Sequence, residues 1–407
     1  MRIFTAVRHS VDPRFYYGGL WSGNFYPALR SLGHDVVESQ VDLFPASKFM
    51  HIRGEFTPEE LEARSRLTEQ IIEEVQNAHR EKPLHLFLSY FYNSHFDPNG
   101  FREIARLGIP TVNFYCNSIY QFSLVSEIAR SADFAWHTER DARQLYLKAN
   151  ANPVWVQMAA DPNIYHPLKN SVRQPRACFV GQRYCDRDQW LALLLSRNVP
   201  VDIYGDGWCS SSSSNGSKEN ETLTAKSYPA RQGFAVGSTA SYLQAAWKNI
   251  RDLGLWKGAY RNVRQYQLRQ ERSALTRIIL PATQGVASDI VETFARYEIV
   301  LNFSNVWADG RPGSELVSHV RLRDFEAPMS RTCYVTGYTD EIAELYEIEK
   351  EILTYRTAEE FVDKVKYHLA HPVEAEKVRD AGHKRALRDH TWVQRFKQLF
   401  GLIGLVK

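Results

Sequence analysis

Four arginines stand where an anion could meet them. Arg183 and Arg187 follow the apolar run Cys178–Val180, and Arg321 and Arg323 follow Val320. A guanidinium keeps its charge at any working pH and offers a rigid fork of donors, the geometry a diphosphate asks for. Any one of them reads most simply as a surface arginine paired with a carboxylate. Their convergence on strand ends is what raises Arg183 and Arg323 above that. Glu326 comes next, just after Phe325 at the start of an expected helix. There it can accept bonds from the two vicinal hydroxyls of a ribose or serve the helix dipole. In the first half the polar residues at expected strand ends are His9, His95, Asp97 and Asn117, with Tyr90 beside them. A His or Asp with a pKa near working pH there could act as a base toward an acceptor hydroxyl, although a structural role is the commoner use of any one of 13 histidines.

Glycines complete the set. Gly18-Gly19 and Gly23 precede a helix, Gly181 follows one strand, and Gly205-Asp206-Gly207 follows another ending in Tyr204. Such positions admit close backbone approach and, before a helix, suit anions or sugar oxygens. They serve as readily for the turn alone. Asn302 and Ser304 lie at the end of a further apolar run. The full GxGxxG spacing and the P-loop are absent, which argues against a redox dinucleotide or a P-loop nucleotide. No HExxH, clustered Cys/His or GxSxG is present. Asp186-Arg187-Asp188 has the DxD form used on metal-bound diphosphates, but the motif is short and common, and no metal is expected.

The elements that must position these residues alternate along the chain. Strands are expected at Ile3–Val7, Asp35–Glu38, Leu84–Leu88, Thr111–Tyr115, Phe134–Trp136, Cys178–Val180, Val201–Tyr204, Ile299–Phe303 and Cys333–Thr336. Most are apolar on both faces and are separated by helices, which implies parallel sheets covered on two sides. Helices are expected after Gly23, ending at Gly33, and from the capping box Thr57…Glu60. Others are expected near 98–107, 123–130, 138–149 and 187–196. Three more close the chain, two of them opened by Thr357…Glu360 and Thr391…Gln394. Ligands of such sheets bind beyond the carboxyl ends of the strands, where every residue named above falls. Ser210–Ser214 is low in complexity, and 241–277 reads helical and basic, with eight Lys/Arg against Asp252 and Glu271. Tyr242, Trp247, Trp256, Tyr260 and Tyr266 are interleaved there, as on a helical lid or on a surface for an anionic partner.

With 407 residues, the rule of about 150 per domain gives two or three domains. Hydrophobic content of 44% and charged content of 24% exclude a disordered or fibrous chain. A net charge of +3 gives no case for nucleic acid as the partner of the whole protein. Five scattered cysteines without a CxxC suit a reducing compartment, no apolar run approaches the ~18 residues of a membrane span, and the first residues enter a strand directly. These points give a cytoplasmic expectation.

An ordered set of fragments resembles a known family. Val320-Arg321-Leu322-Arg323-Asp324-Phe325-Glu326-Ala327-Pro328, Thr354–Phe361, Ala381-Gly382 and His390-Thr391-Trp392 resemble the C-terminal half of the CgeB-like (spore-maturation-type) bacterial glycosyltransferases. Upstream, Gly108–Val112, Ala159–Pro162 with Tyr165, Phe179-Val180-Gly181 and Ile203-Tyr204-Gly205 with Trp208 fall in the same order, and only 209–285 lies outside the match. The resemblance implies a GT-B fold, α/β, with two Rossmann-like doubly wound domains facing a cleft. Residues 1–165 would form the acceptor domain and 166–385 the nucleotide-sugar domain with its insertion at about 209–285. Residues 386–407 would be a C-terminal helix packing back on the first domain. It implies a sugar passing from a nucleoside diphosphate, UDP in our expectation, to the hydroxyl of a glycan, lipid-linked, peptide or small-molecule acceptor, without a cofactor. Arg323 would meet the diphosphate, Glu326 the ribose, and the Gly181 and Gly205 loops phosphate and base. The chain departs from the pattern at Asn117, where relatives often carry Asp, and at Ser318, eight before Glu326. A catalytically silent nucleotide- or glycan-binding scaffold and a nucleotide-sugar epimerase of the same fold therefore stand as alternatives.

Overall fold

The computed structural model describes residues 1–10, 19–52, 54–169, 171–208 and 239–405, and Gly18, Cys209, Ser210–Ser214 and the rest of 209–238 lie outside the described residues. The described residues form two units, one of 1–161 with 390–405 and the other within 162–389.

The first unit carries a six-stranded, wholly parallel sheet. Its strands are β1 (Arg2–Ala6), β2 (Asp35–Glu38), β3 (Leu86–Ser89), β4 (Thr111–Tyr115), β5 (Phe134–His137) and β6 (Pro153–Trp155), in the order β2-β1-β3-β4-β5-β6. β1, β3 and β4 are buried along their whole length, which is why they read as continuous apolar runs. One face packs on the helix Pro58–Glu81 through Leu67, Ile71 and Val75 against Phe4, Phe87 and Phe101. That helix opens with the full reciprocal capping box of Thr57 and Glu60. The other face is aromatic. Phe25, from the helix Leu20–Ser31, stacks on Trp136 at 5.4 Å and meets Trp392 at 4.9 Å and Phe396 at 5.2 Å. The last two come from the helix Trp392–Leu402, fastened by Trp392 Nε1 donating to Asn24 Oδ1 (2.9 Å) and Arg395 Nε donating to the Met158 carbonyl (2.9 Å).

The second unit repeats the plan with five parallel strands, β7 (Gln174–Val180), β8 (Val201–Tyr204), β9 (Tyr297–Leu301), β12 (Cys333–Gly337) and β13 (Leu353–Tyr355), ordered β13-β12-β9-β7-β8. Between β9 and β12 the chain makes an antiparallel hairpin, β10 (Asn305–Trp307) with β11 (Leu316–Ser318). The basic stretch forms two antiparallel helices, Thr239–Leu253 and Leu255–Ile279, broken at Gly254 with φ +81°. Thr357 caps Ala358–Ala370 from its hydroxyl, but the reciprocal half of that expected box is missing, because the Glu360 carboxylate accepts from the Arg356 amide instead. β6, β13 and the hairpin were not expected, and the segments near 123–130 and 138–149 each divide into a 3-10 turn and a short helix.

Candidate functional site

Both strand orders place a switch point where successive strands leave in opposite directions. It lies between β1 and β3 in the first unit and between β7 and β9 in the second. Carboxyl-terminal loops diverge there and leave a crevice for ligand.

In the second unit, the loop after β7 meets the loop after β9. Asn305 Nδ2 donates to Asp186 Oδ2 (2.5 Å), and the Arg321 Nη2 donates to the Asn305 carbonyl (2.8 Å). Arg321 is half-buried, and its Nε makes no hydrogen bond. Behind it, Asp324 organises the strand ends. Its Oδ2 accepts from the Arg321 amide (2.6 Å), and its Oδ1 accepts from Tyr334 (2.7 Å), Thr336 (3.0 Å) and Asn302 (3.4 Å). Burial raises the Asp324 pKa, opposed by these donors. Ser304 joins the network through Thr336 and Gly337. Asn302, Ser304 and Arg321 are thus brought together, and Asp324, absent from the sequence-based set, is the residue that does it. Its signal was the density of charge in Arg321–Glu326, which does not say which side chain turns inward.

Gly181 and Gly205 also meet, but for packing. A Cβ on Gly205, which holds φ +132°, would stand 2.2 Å from the Gly181 carbonyl oxygen, and one on Gly181 would stand 2.8 Å from the Phe179 ring. The two loops are zipped by Gly181 N to the Tyr204 carbonyl and by Arg183 N to the Asp206 carbonyl. Gly205→Ala is therefore expected to force the loops apart. It combines a steric overlap with a strained φ and should cost about 2–4 kcal/mol, read as a fall in the urea midpoint. An unchanged midpoint would contradict this reading of the turn.

The arginines divide. The Arg183 side chain is 7% exposed and bonded to Asp188 (2.5 Å), Thr276 Oγ1 (2.7 Å) and the Arg272 carbonyl (3.2 Å), so it ties the β7 loop to the long helix Leu255–Ile279. Arg187 is buried too, giving Nη1 to the Gln182 carbonyl. Arg323 donates to Glu326 Oε2 (2.6 Å) and lies over the Phe294 ring, while Tyr165 donates to Glu326 Oε1 (2.5 Å). Glu326 is 4% exposed, so vicinal hydroxyls reach it only if Tyr165 turns away. Phe325 is core. The Tyr204 hydroxyl bonds that of Tyr297, and Asp206 is exposed. Asp186 and Asp188 are engaged by Trp190, Asn305, Arg183 and Arg272. Among the described residues no three His, Cys, Asp or Glu side chains gather as a metal site.

In the first unit, His9 (after β1) stacks on Tyr90 (after β3) at 4.6 Å, and the His95 ring stands 4.5 Å from His9. His9 Nε2 donates to the Tyr90 carbonyl (2.7 Å), which leaves Nδ1 as its basic nitrogen. Burial lowers its pKa to about 4. His95 is fully buried. It accepts from the Tyr92 amide at Nδ1, so Nε2 donates to Ser47, and burial holds it neutral. A substrate hydroxyl has no path to it. Asp97 caps the helix Pro98–Arg106 by accepting from Asn99 N (2.9 Å) and pairs with Arg64, so its carboxylate is structural. Gly19 precedes the helix Leu20–Ser31, and Asn117 follows β4 without capping the short helix it opens.

Residues 283–401 match a protein family described as glycosyl transferase-like. Among curated proteins none matches the chain. Solved structures align over nearly its whole length. Sucrose-phosphate synthase from Thermosynechococcus elongatus is 12% identical with a TM-score of 0.53, covering 100% of each chain. A glycosyltransferase from Rickettsia africae is 12% identical with a TM-score of 0.56, over 98% of this chain and 96% of that one. HepE from Anabaena in complex with UDP-glucose is 12% identical with a TM-score of 0.56, over 100% and 99%. The fold is GT-B. The family match takes in Asn302, Ser304, Arg321 and Asp324, so the strand-end network of the second GT-B unit lies inside it.

Proposed function

We propose that the protein is a glycosyltransferase of the CgeB-like branch, moving a sugar from a UDP-sugar to an acceptor hydroxyl. The observation that carries this is a coincidence: the glycosyl transferase-like match covers the stretch whose polar side chains converge on the second unit's switch point. HepE, of the same fold, holds UDP-glucose, which supports UDP as the carrier. In this reading the diphosphate lies against Arg321 and the backbone of the Gly181 loop. Arg183, Arg187, Arg323 and Glu326 shape that surface by their internal pairs. The acceptor is held by Gly19, Tyr90 and Asn117, with His9 as the base. The acceptor oxygen attacks the anomeric carbon, its proton passes to the base, and the bond from that carbon to the diphosphate breaks. Guanidinium charge stabilises the departing diphosphate, which requires no metal.

A thermal-shift panel of UDP, GDP, dTDP and CDP and their sugars, without and with Mn²⁺, tests the donor. Stabilisation by UDP and its sugars without metal is the expected result, and a flat panel would sink the proposal. Arg321→Ala should weaken UDP binding by about 1.5–3 kcal/mol, the scale of a charge-assisted hydrogen bond. Calorimetry showing unchanged affinity would remove Arg321 from the diphosphate site.

A further inference from the structure

The helical hairpin of 239–279 is closed on its inner side and unfinished on its outer one. Gly258 lets the helices touch, since a Cβ there would stand 2.4 Å from Ile250 Cα, and buried Asn249 bonds Asn262 at 2.8 Å. The large side chains near the Gly254 turn point outward. Trp247 is 68% exposed, Trp256 86% and Tyr260 71%, with Leu255 and Val263 exposed beside them. Trp256, Tyr260 and Val263 follow at i, i+4 and i+7, a single stripe. Lys248 and Lys257 are exposed at the same turn, whereas Asp252, the acid there, is taken by Arg251 and Arg311. Rings of this size are normally buried, and an exposed group of them marks a contact.

We propose that this tip docks on an anionic lipid surface. Tryptophan and tyrosine settle at the headgroup level of a bilayer while lysines meet its negative charge. The aliphatic Leu255 and Val263 gain from acyl chains but have nothing to offer a nucleotide base or phosphate, which favours lipid over nucleic acid. No helix among the described residues is long and apolar enough to cross a membrane, so the hairpin lies on the surface. The anchor is also tied to the donor loops: some 20 residues of helix, about 30 Å, separate Trp256 from Thr276, where Arg183 is bonded. Membrane contact at the tip therefore holds the second unit's strand ends at a set height above the bilayer.

The test is co-sedimentation of the full chain with vesicles of phosphatidylglycerol and phosphatidylcholine at about 3:7, against phosphatidylcholine alone. Binding to the anionic vesicles is expected, with release at about 0.5 M salt. Trp256→Ala with Tyr260→Ala should weaken partition about tenfold or more, and Lys248→Glu with Lys257→Glu should do so by reversing the charge while the rings stay in place, both with thermal midpoints unchanged. No sedimentation with anionic vesicles overturns the proposal, as does wild-type partition in both variants. If instead the variants abolish self-association, or binding to a single-stranded oligonucleotide, while vesicles are ignored throughout, the surface belongs to that partner and the proposal fails.

Discussion

Replacing Asp324 by alanine is expected to lower the stability of the second unit by about 3 kcal/mol or more. The substitution leaves the buried Tyr334 hydroxyl and the Arg321 amide without the acceptor they now share, and each orphaned donor costs about 1–3 kcal/mol. Thr336 loses less, because Ser304 stands within reach of its hydroxyl. For a unit of this size that is a fall of about 6–12 °C in thermal midpoint. Asp324→Asn keeps one accepting oxygen for Tyr334 and Thr336 but turns an amide donor toward Arg321 N, so its loss should be intermediate. UDP affinity should fall with stability in both variants, since the same carboxylate sets the backbone from which Arg321 projects. If Asp324→Ala melts with the parent protein, the network is ornamental and Arg321 is positioned by something else.

Acidification should undo the first unit earlier than carboxylate chemistry would. Burial lowers the pKa of His9 and of His137 to about 4 each, so both stay neutral in the native state, while the unfolded chain protonates them near 6.5. Their contribution is fully present above pH 6.5 and drains away as pH falls to about 4, by about 3 kcal/mol for each histidine. His95, lowered by burial beside His9, acts in the same direction. Native carboxylates whose pKa is lowered, such as Glu376, withdraw their support only at lower pH. Urea midpoints measured in steps from pH 7.5 to 4.5 should therefore decline from the start of the histidine window, and His137→Gln should flatten the curve. A level profile down to pH 5 would show that these rings are protonated at no cost.

What could be read from the chain was what repeats. β3, β4 and β12 announce themselves because both faces are buried, and the helix from Pro58 because its cap and its apolar stripe agree. The three-residue strands β6, β10, β11 and β13 carry too few side chains for a pattern. The site was legible as a set of places rather than as a set of roles. Strand ends nominated Arg321, Asn302 and Ser304, which the structure brings into one network, and His9 and Tyr90, which stack on each other. They could not reveal that Arg183 would be consumed by Asp188 and by Thr276, 93 residues away, or that Glu326 would be met by Tyr165 across 161. Nor did they distinguish Asp97 as a helix cap from Asp97 as a base, although Pro98 in the first turn was the available clue. Side-chain partners chosen across such separations leave no periodic trace.

The helix Trp392–Leu402 gives the chain an unusual order of completion. The aromatic face of the first sheet is closed by Trp392 and Phe396, which a ribosome delivers only after every strand of the second unit has emerged. The second unit can therefore finish first, while Phe25 and Trp136 wait uncovered, a reversal of the usual amino-terminal-first sequence in multidomain chains. During that interval the nascent first unit offers a broad aromatic surface to whatever is near. A nonsense codon anywhere between positions 156 and 391 would make that exposure permanent, even though it would spare all six strands of the first sheet.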